Sequence, residues 1–330
     1  MRILFTSDPA KTLKPNMDFT LNVASRLLQQ KDSNFELYFC NVKQSNPSTK
    51  QGQDFIDNLV VQKILQIDLK SSTQFIKLGL DQKWKLLNRF NMIFHRMDPP
   101  VNDEYSNFHQ HFEDLPSTTL QFNDPKNICT LHEHLIPHQY FKEYAAPTSH
   151  CNSLENLIEA TTKHFKDSER IVLKPESQKG GVGIQFLTKT QSNQTDFLNN
   201  YFKQWGPQIV VQQYLPEIEK TGDMRVLCFN GNILGNVLRV PQKGSRLANL
   251  HQGALAVKHP ISQKQKLISE QVSKQLLKQF KLYLIGIDFI GDYLTEVNIT
   301  SPTLIEQCYQ NGHPEAYNIL IKELQNLAKK

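Results

Sequence analysis

The sequence predicts an α/β protein in three parts: an N-terminal parallel-sheet domain, a small α+β domain and a C-terminal α+β domain. Three observations predict this organisation. Strand-like and helix-like segments alternate at the start, the composition then becomes His-rich and Gly-rich, and hairpin signals dominate the last third. The predicted domains cover residues 1–125, 126–205 and 206–330. With 330 residues, the chain is too long for one small hydrophobic core.

The composition narrows the classes of function. A net charge of +5 with dispersed lysines gives no support to a nucleic-acid partner, whereas an anionic small molecule would suit it. No segment approaches the roughly 18 consecutive apolar residues of a membrane span, so no membrane association is expected. The N-terminus is typical of a buried strand rather than a secretion signal, and the 5 cysteines form no C-x-x-C pair. We therefore expect a cytoplasmic protein without disulfides or a zinc site.

The first 125 residues predict βαβ units. Residues 18–30 and 53–67 show helical patterns, and four short apolar runs predict strands: "RILFTS", "FELYFCNV", "MIFHRM" and "TLQF". In a parallel sheet, ligands bind beyond the carboxyl ends of the strands, where "TSDP" and "HRMDPP" follow two of these runs. Turn formation explains Asp8 in the first motif equally well.

The segment "IVLKPESQKGGVGIQF" predicts two strands joined by a glycine-rich turn. Lys174 ends the first strand, and Gly180, Gly181 and Gly183 follow it. Glycines allow backbone N–H groups to approach anionic oxygens, and a lysine at a strand end supplies a positive charge, so this pattern suits phosphate binding. The spacing matches none of the usual nucleotide-binding motifs. An ordinary glycine hairpin accounts for it equally well.

The next segment predicts a hairpin that carries two arginines. "FNGN" between two apolar runs indicates a turn through its Asn-Gly pair, with Arg225 in the first strand and Arg239 in the second. Arginine in a strand often points to solvent. Here both arginines lie in strands that lead to the polar loop 242–253, so a shared anion site is a reasonable hypothesis. An amphipathic helix is predicted near residues 262–281.

The stretch "GIDFIGDYLTEVNITSPT" places polar side chains in two apolar strands. Glu296 and Asn298 lie two residues apart and so project from one face. A plain two-residue turn would pair Ile287 with Glu296 and send Asp288 to the opposite face. With a bulge or an odd-numbered loop, Asp288 would lie opposite Glu296, and the three oxygen-bearing side chains would converge. Such a cluster suits Mg²⁺, which prefers hard oxygen ligands.

Taken together, these motifs resemble those of ATP-grasp ligases, specifically the bacterial type of glutathione synthetase. The resemblance rests on "HRMDPP", "VLKPESQKGGVGIQF", "QQYLPEIEKTGDMRVLCFNG", "RVPQKGSRLANLHQG" and "GIDFIGDYLTEVNITSPT". It implies an ATP-grasp fold with a Rossmann-like N-terminal domain and a small central lid domain. It also implies an ATP-dependent ligase that joins γ-glutamylcysteine to glycine through an acylphosphate, a small-molecule reaction catalysed by a homo-oligomer.

The resemblance assigns a role to each candidate residue. Two Mg²⁺ ions, for which Mn²⁺ could substitute, would be held by Asp288, Glu296 and Asn298. ATP would contact Lys174, Gly180, Gly181, Gly183, Gln213, Tyr214, Leu215 and Glu217. Catalysis would involve Arg225, Arg239 and Asn249, and the peptide substrate would meet Arg96, Asp98 and Ser301. Residues 242–253 would form a flexible lid.

The sequence departs from the family pattern around the substrates. His134 stands where the family has a lysine, and a neutral imidazole is a weaker phosphate partner; Lys142 could replace it from another turn. In the lid, Leu247 occupies the place of an arginine, and Glu306 replaces another arginine after "SPT". Two alternatives therefore stay open: an ATP-grasp ligase that adds a different amino acid to a peptide or protein, and a nucleotide-binding paralogue with impaired catalysis.

Overall fold

The computed structural model describes residues 1–15, 17–30, 34–44, 59–71, 73–84, 89–176, 181–190, 194–242, 244, 248, 250 and 253–329. Three β-sheets organise this part of the chain, and helices cover them. Within these residues, no helix has both the length and the apolar character needed to cross a membrane.

The first sheet has a parallel centre and an antiparallel edge. Its strands are β1 (Arg2–Ser7), β2 (Glu36–Asn41), β3 (Leu59–Ile67), β4 (Ile76–Leu78), β5 (Gln82–Trp84), β6 (Met92–Arg96) and β7 (Leu120–Phe122). They run in the order β4-β3-β2-β1-β6-β7, with β5 also paired to β3. β1 is parallel to β2 and β6, and β6 is parallel to β7, whereas β3 pairs antiparallel with β2. The predicted parallel sheet is confirmed at its centre.

The predicted helix over residues 53–67 is wrong where the structure describes it, because residues 59–67 form strand β3. The buried side chains are Leu59, Val61 and Ile64, so the spacing changes from two residues to three. The pairing of β3 with β4 shifts register just after Ile64, and such an irregularity imitates a helical step. The β-branched valines and isoleucines favour a strand here. Residues 53–58 lie outside the described part.

Four helices follow or cover the first sheet: α1 (Phe19–Leu28), α2 (Asp103–Gln110), α3 (Pro125–Thr130) and α4 (Ile136–Tyr140). The Asp18 side chain caps α1 by accepting a hydrogen bond from the Leu21 N–H at 2.9 Å. α1 buries Phe19 against Phe94 of β6, which also stacks on Phe5 of β1 with 5.1 Å between ring centroids. This apolar layer holds β1 and β6 in place, and their carboxyl ends carry polar residues.

The second sheet is antiparallel. Its strands are β8 (Thr148–Cys151), β9 (Arg170–Pro175), β10 (Gln185–Thr188) and β11 (Ile209–Gln213), in the order β10-β9-β11-β8. Helices α5 (Leu154–Asp167) and α6 (Gln194–Trp205) pack on it through a shared apolar core. β9 and β10 pair as the glycine-rich hairpin predicted from the sequence. β11 belongs to this sheet although it follows residue 206, and the division of the chain at residues 126 and 206 stays a prediction.

The third sheet is built from two hairpins. After α7 (Glu217–Lys220) come β12 (Asp223–Phe229), β13 (Asn232–Val240), β14 (Leu255–Val257), α8 (Gln263–Phe280), β15 (Leu284–Ile290), β16 (Tyr293–Asn298), α9 (Ile305–Gln310) and α10 (Ala316–Leu327). The strand order is β14-β13-β12-β15-β16, and the pairs are antiparallel. Asn230 and Gly231 both have positive φ, 50° and 79°, as a type I′ turn requires. The predicted Asn-Gly hairpin and the helix near 262–281 are confirmed.

Asn123 joins the first sheet to the third. It follows β7 and is buried, and its side-chain N–H groups donate to the carbonyls of Leu284 and Ile299 at 2.7 Å each. Its side-chain oxygen accepts the Leu284 N–H at 2.7 Å. One amide therefore satisfies three backbone groups in β15 and after β16, and it fixes these strands relative to β7.

Candidate active site

A cavity of about 820 Å³ lies where the three sheets meet. Residues from each sheet line it, among them Arg96 of β6, Lys174 of β9 and Asp288 of β15. Its volume is in the range of cofactor and substrate pockets. Thirteen of the residues predicted to form the site line this cavity: Arg96, Asp98, Lys174, Gly181, Gln213, Tyr214, Leu215, Arg225, Arg239, Asp288, Glu296, Asn298 and Ser301.

The other four predicted residues fall into two groups. Glu217 and Gly183 lie outside its lining, and Gly180 and Asn249 lie outside the described residues, as does Leu247. Gly183 has a packing explanation: its φ is 77°, and a Cβ there would approach Pro175 Cγ to 2.6 Å.

A β-bulge sets the register of the β15–β16 hairpin. Ile290 pairs with Tyr293 across a two-residue turn, and Phe289 pairs with Leu294. The register shifts between Phe289 and Asp288, so that Asp288 pairs with Glu296. The extra residue is Thr295, which is opposite neither partner. The convergent arrangement is therefore the observed one: Asp288, Glu296 and Asn298 line the same cavity. The Asn298 side-chain N–H lies 3.3 Å from Asp288 Oδ2.

The Asp288 carboxylate is held by two arginines. Arg225 donates from Nε to Oδ1 and from Nη2 to Oδ2, the latter at 2.6 Å, and Arg239 donates from Nη2 to Oδ2 at 2.8 Å. Burial alone would raise the pKa of Asp288, but the two guanidinium charges outweigh burial and lower this pKa to about 2. Asp288 is therefore ionised throughout the neutral range, and Arg225 and Arg239 point inward rather than to solvent.

Asp223 is a site residue that the sequence reasoning missed. It pairs with Arg239 across β12 and β13, and its Oδ2 accepts a hydrogen bond from Arg239 Nη2. Burial raises the pKa of Asp223 to about 7, and the nearby Asp288 charge acts in the same direction against Arg239. The available signal was a carboxylate at the start of a buried strand in "TGDMR". Its register with Arg239 depends on a second bulge, at Leu234.

Lys174 and His134 lie near Glu296 of the cluster. His134 Nδ1 is 3.4 Å from Glu296 Oε2, and both residues line the cavity. Burial lowers the pKa of His134 well below its ordinary value, and the Lys174 charge adds to this, so the imidazole is neutral. Burial also lowers the pKa of Lys174, while nearby carboxylates, Glu296 first, oppose that shift. Lys142, the suggested replacement for the family lysine, is exposed and does not line the cavity.

An apolar slot lies beside the charged cluster. Val172, Tyr214 and Ile218 form one buried group, and Phe186 packs against the ring of Tyr214. Tyr214 also carries the Arg170 guanidinium over its ring at 4.0 Å. The backbone N–H groups of Gln213 and Tyr214 donate to Pro147 and Arg170 carbonyls. These two N–H groups are thus used within the protein, so the predicted contacts of Gln213 and Tyr214 with ATP would come from their other atoms.

The end of the cavity nearest the first sheet contains Arg96. This side chain is buried, stacks over the Phe19 ring at 4.7 Å and donates from Nη2 to the Ser301 carbonyl at 3.2 Å. Its Nε and Nη1 find no hydrogen-bond partner among the described residues. Ser301 Oγ donates to Asp98 Oδ1 at 2.7 Å. Burial raises the pKa of Asp18 to about 6. This end therefore presents hydrogen-bond donors on the Arg96 cation and acceptors on the carboxyl groups of Asp18 and Asp98.

The cluster around Asp288 has the donor chemistry of a Mg²⁺ site. Two carboxylates and one amide carbonyl supply hard oxygen ligands, and Mg²⁺ commonly binds to few protein groups when phosphates complete its shell. In the part of the chain that the structure describes, no three His, Cys, Asp or Glu side chains are arranged as a metal site. The residues therefore fit Mg²⁺ bound together with an anionic ligand rather than a closed protein site.

Comparisons with known proteins agree along most of the chain. The family model "Prokaryotic glutathione synthetase, N-terminal domain" matches residues 1–129, and "Prokaryotic glutathione synthetase, ATP-grasp domain" matches residues 133–312. The glutathione synthetase of Prochlorococcus marinus is 30% identical over 328 residues, which cover 98% of this chain and 99% of that protein. The glutathione synthetase of Synechococcus elongatus is 35% identical over 230 residues, which cover 69% of this chain and 68% of that protein.

Solved structures support the fold. D-cycloserine synthetase DcsG superposes with a TM-score of 0.65 at 11% identity, covering 98% of this chain and 100% of that one. D-alanyl-alanine synthetase A from Vibrio cholerae superposes with a TM-score of 0.59 at 16% identity, covering 100% of this chain and 99% of that one. At these identities the likeness shows the fold alone. The family matches go further, and this chain belongs to the prokaryotic glutathione synthetase family of ATP-grasp ligases.

Proposed function

We propose that this protein is a glutathione synthetase, which uses ATP to join the carboxylate of γ-glutamylcysteine to the amine of glycine. The observation that carries the proposal is the convergence of Asp288, Glu296 and Asn298 with Lys174 and two arginines in one cavity. A chain matched along its length by the family presents there both the oxygen ligands and the cations that a nucleotide triphosphate needs.

The reaction needs no nucleophile from the protein. The γ-phosphoryl group of ATP passes to the donor carboxylate and releases ADP, and the amine then attacks the acylphosphate carbon and displaces phosphate. The chain's own contribution is positioning, charge stabilisation and exclusion of water. Lys174 and Gly181 would contact the phosphates, and Arg225 and Arg239 would stabilise the negative charge on the transferring group.

Asp288, Glu296 and Asn298 are the residues that would hold magnesium. When bound, Mg²⁺ supplies charge neutralisation to the phosphate oxygens. In this cluster Asp223, Asp288 and Glu296 face Lys174, Arg225 and Arg239, and Glu133 also lines the cavity. We expect two ions, and Mn²⁺ would substitute for Mg²⁺.

The peptide substrate would bind at the Arg96 end. Arg96 offers two nitrogen donors, Nε and Nη1, that lack a partner in the described residues, and Asp98 and Ser301 lie beside it. A γ-glutamyl group carries both an ammonium and a carboxylate, and this mixed surface can pair with both. We place the protein in the cytoplasm, which agrees with 5 cysteines that form no disulfide bond, and we expect a homo-oligomer.

The test is phosphate release from ATP by the purified protein with Mg²⁺. The proposal expects release that requires both γ-glutamylcysteine and glycine, with glutathione formed in equal amount. Release that depends on a different amino acid or peptide would support another ATP-grasp ligase. ATP binding without release in the presence of a panel of carboxylates and amines would identify a catalytically impaired nucleotide-binding protein.

A further inference from the structure

The segment that follows β16 links the two ends of the cavity. It begins at Asn298 in the charged cluster and reaches Ser301, whose hydroxyl donates to Asp98 at the Arg96 end. Only two residues, Ile299 and Thr300, lie between Asn298 and Ser301. Any movement of the intervening backbone would therefore displace a candidate metal ligand and a candidate substrate contact together.

Glu133 holds this segment through four hydrogen bonds. Its Oε1 accepts the Ile299 N–H at 2.6 Å, the Thr300 N–H at 2.9 Å and the Thr300 hydroxyl at 3.0 Å. Its backbone carbonyl accepts the Val297 N–H at 3.0 Å. Glu133 lies in the turn between α3 and α4 and lines the cavity. One residue outside the third sheet thus binds every residue between Glu296 and Ser301 except Asn298 itself.

The segment is fixed from its other side by the first sheet. Asn123 donates to the Ile299 carbonyl at 2.7 Å, and Arg96 donates to the Ser301 carbonyl at 3.2 Å. Asn123 and Arg96 thus donate hydrogen bonds to carbonyl groups of this segment, whereas Glu133 accepts hydrogen bonds from its N–H groups. Without the Glu133 carboxylate, the N–H groups of buried Ile299 and Thr300 would lose their acceptor.

We propose that Glu133 is a positioning residue that sets the Asn298 side chain for the metal and the Ser301 side chain for the substrate. This inference rests on the proposed function for what binds at each end. Groups that orient metal ligands typically change metal affinity by about 10–100-fold when removed. Glu133 itself need not touch either ligand.

The first test measures Mn²⁺ binding in the presence of ADP by electron paramagnetic resonance, for the full chain and for Glu133→Ala and Glu133→Gln. The glutamine keeps one oxygen that can accept the same three donors. We expect Glu133→Ala to weaken Mn²⁺ binding by about 10–100-fold and Glu133→Gln to stay within about threefold of the parent. Binding of ADP without metal should be unchanged in both variants.

A graded variant and a control complete the test. Thr300→Val removes only the hydroxyl donor, so a smaller loss of Mn²⁺ affinity in the same direction is expected. Glu143→Ala changes an exposed glutamate of the same region and should have no effect. The proposal is overturned by unchanged Mn²⁺ affinity in Glu133→Ala, or by a Glu133→Gln variant as weak as the alanine. If Glu133→Ala does not fold, unchanged affinity in Thr300→Val overturns it.

The test separates this inference from the proposed function. Mn²⁺ and ADP binding does not depend on which carboxylate or amine the enzyme joins. A weakened Mn²⁺ site in Glu133→Ala therefore supports the positioning role even if glutathione is not the product. Where the ligase assay succeeds, the KM for γ-glutamylcysteine should also rise in Glu133→Ala, by about tenfold, and recover in Glu133→Gln.

Discussion

The charged side chains at the two ends of the cavity differ in how they are paired. At the end formed by the third sheet, Asp288 is bonded to Arg225 and Arg239, and Arg239 is also bonded to Asp223. At the end formed by the first sheet, Arg96 is equally buried but makes one hydrogen bond, to the Ser301 carbonyl, and two of its N–H positions find no partner in the described residues.

This contrast separates a cluster whose charges are paired with one another from an arginine whose Nε and Nη1 have no partner in the described residues. Around Asp288 an incoming nucleotide and its metal must exchange partners with an existing ion network, so single removals there leave buried charges uncompensated. Around Arg96 the cost of unpaired donors is already present in the free protein, at roughly 1–3 kcal/mol for a buried group. Substitutions should therefore affect turnover most strongly at the first end and substrate binding most selectively at the second.

The largest effect is expected for Glu296→Gln. The shape is kept and one metal-binding charge is lost, so turnover should fall roughly 10³-fold, which corresponds to several kcal/mol of charge stabilisation. The melting temperature should change by no more than a few degrees. Activity titrated with Mg²⁺ measures the effect, and Asp292→Asn, an exposed carboxylate in the same hairpin, is the matched control. Unchanged Mg²⁺ dependence would remove Glu296 from the metal site.

The second effect concerns stability on the Arg96 side of the molecule. Burial lowers the pKa of His95, the residue before Arg96, to about 4 from an ordinary 6.5. The unfolded chain therefore binds this proton first as the pH falls. The contribution of His95 to the free energy of unfolding is therefore fully present above pH 6.5. It is lost as the pH falls to about 4, and the loss amounts to roughly 3 kcal/mol.

Urea unfolding between pH 7 and pH 4 measures this loss. His95→Gln should reduce the dependence on pH, whereas His259→Gln, at an exposed histidine, should not. An identical pH dependence in His95→Gln and the parent would contradict the assignment.

A third prediction addresses the arginine that spans the ion network. Arg239→Lys keeps the charge but loses the planar fork that reaches both Asp223 and Asp288. We expect kcat to fall about 100-fold with the KM for ATP within about threefold, because the interaction matters most in the transition state. Steady-state kinetics measure both constants, and Arg2→Lys, at an arginine that does not line the cavity, is the control. An equal loss in kcat and ATP affinity would assign Arg239 to plain nucleotide binding.

The smallest effect is expected at the opposite end. Arg96→Met removes a buried cation with unpaired donors, so the KM for γ-glutamylcysteine should rise about tenfold while the KM for ATP stays constant. Stability should change little, because the two unpaired nitrogen donors are removed together with the hydrogen bond to the Ser301 carbonyl. Arg89→Met is an exposed control. A parallel rise in both KM values would mean that the two ends are not separable.

The amino-acid pattern predicted the elements more successfully than their register. The Asn230-Gly231 turn and the helix near 262–281 could be predicted because local backbone preferences and apolar periodicity determine them. The helix predicted over 53–67 failed because the pairing irregularity in β3 changes the spacing of its buried residues. Short apolar segments do not carry enough periodicity to separate the two cases.

The candidate site shows the same division. Oxygen-bearing side chains in an apolar hairpin indicated which residues to consider, but their convergence depends on single extra residues, Thr295 in one hairpin and Leu234 in the other. Bulges follow from packing with neighbouring strands, which composition does not reveal. Asp223 was missed for this reason. Glu133 was missed because its partners lie more than 160 residues away along the chain.

The amide of Asn123 has a mechanical consequence for how ligands enter. Because it joins the end of β7 to β15 and to the backbone after Asn298, we expect this base of the cavity to move as one unit. An entering nucleotide would therefore meet a base that does not yield, and any widening of the entrance would come from parts of the lining outside these strands.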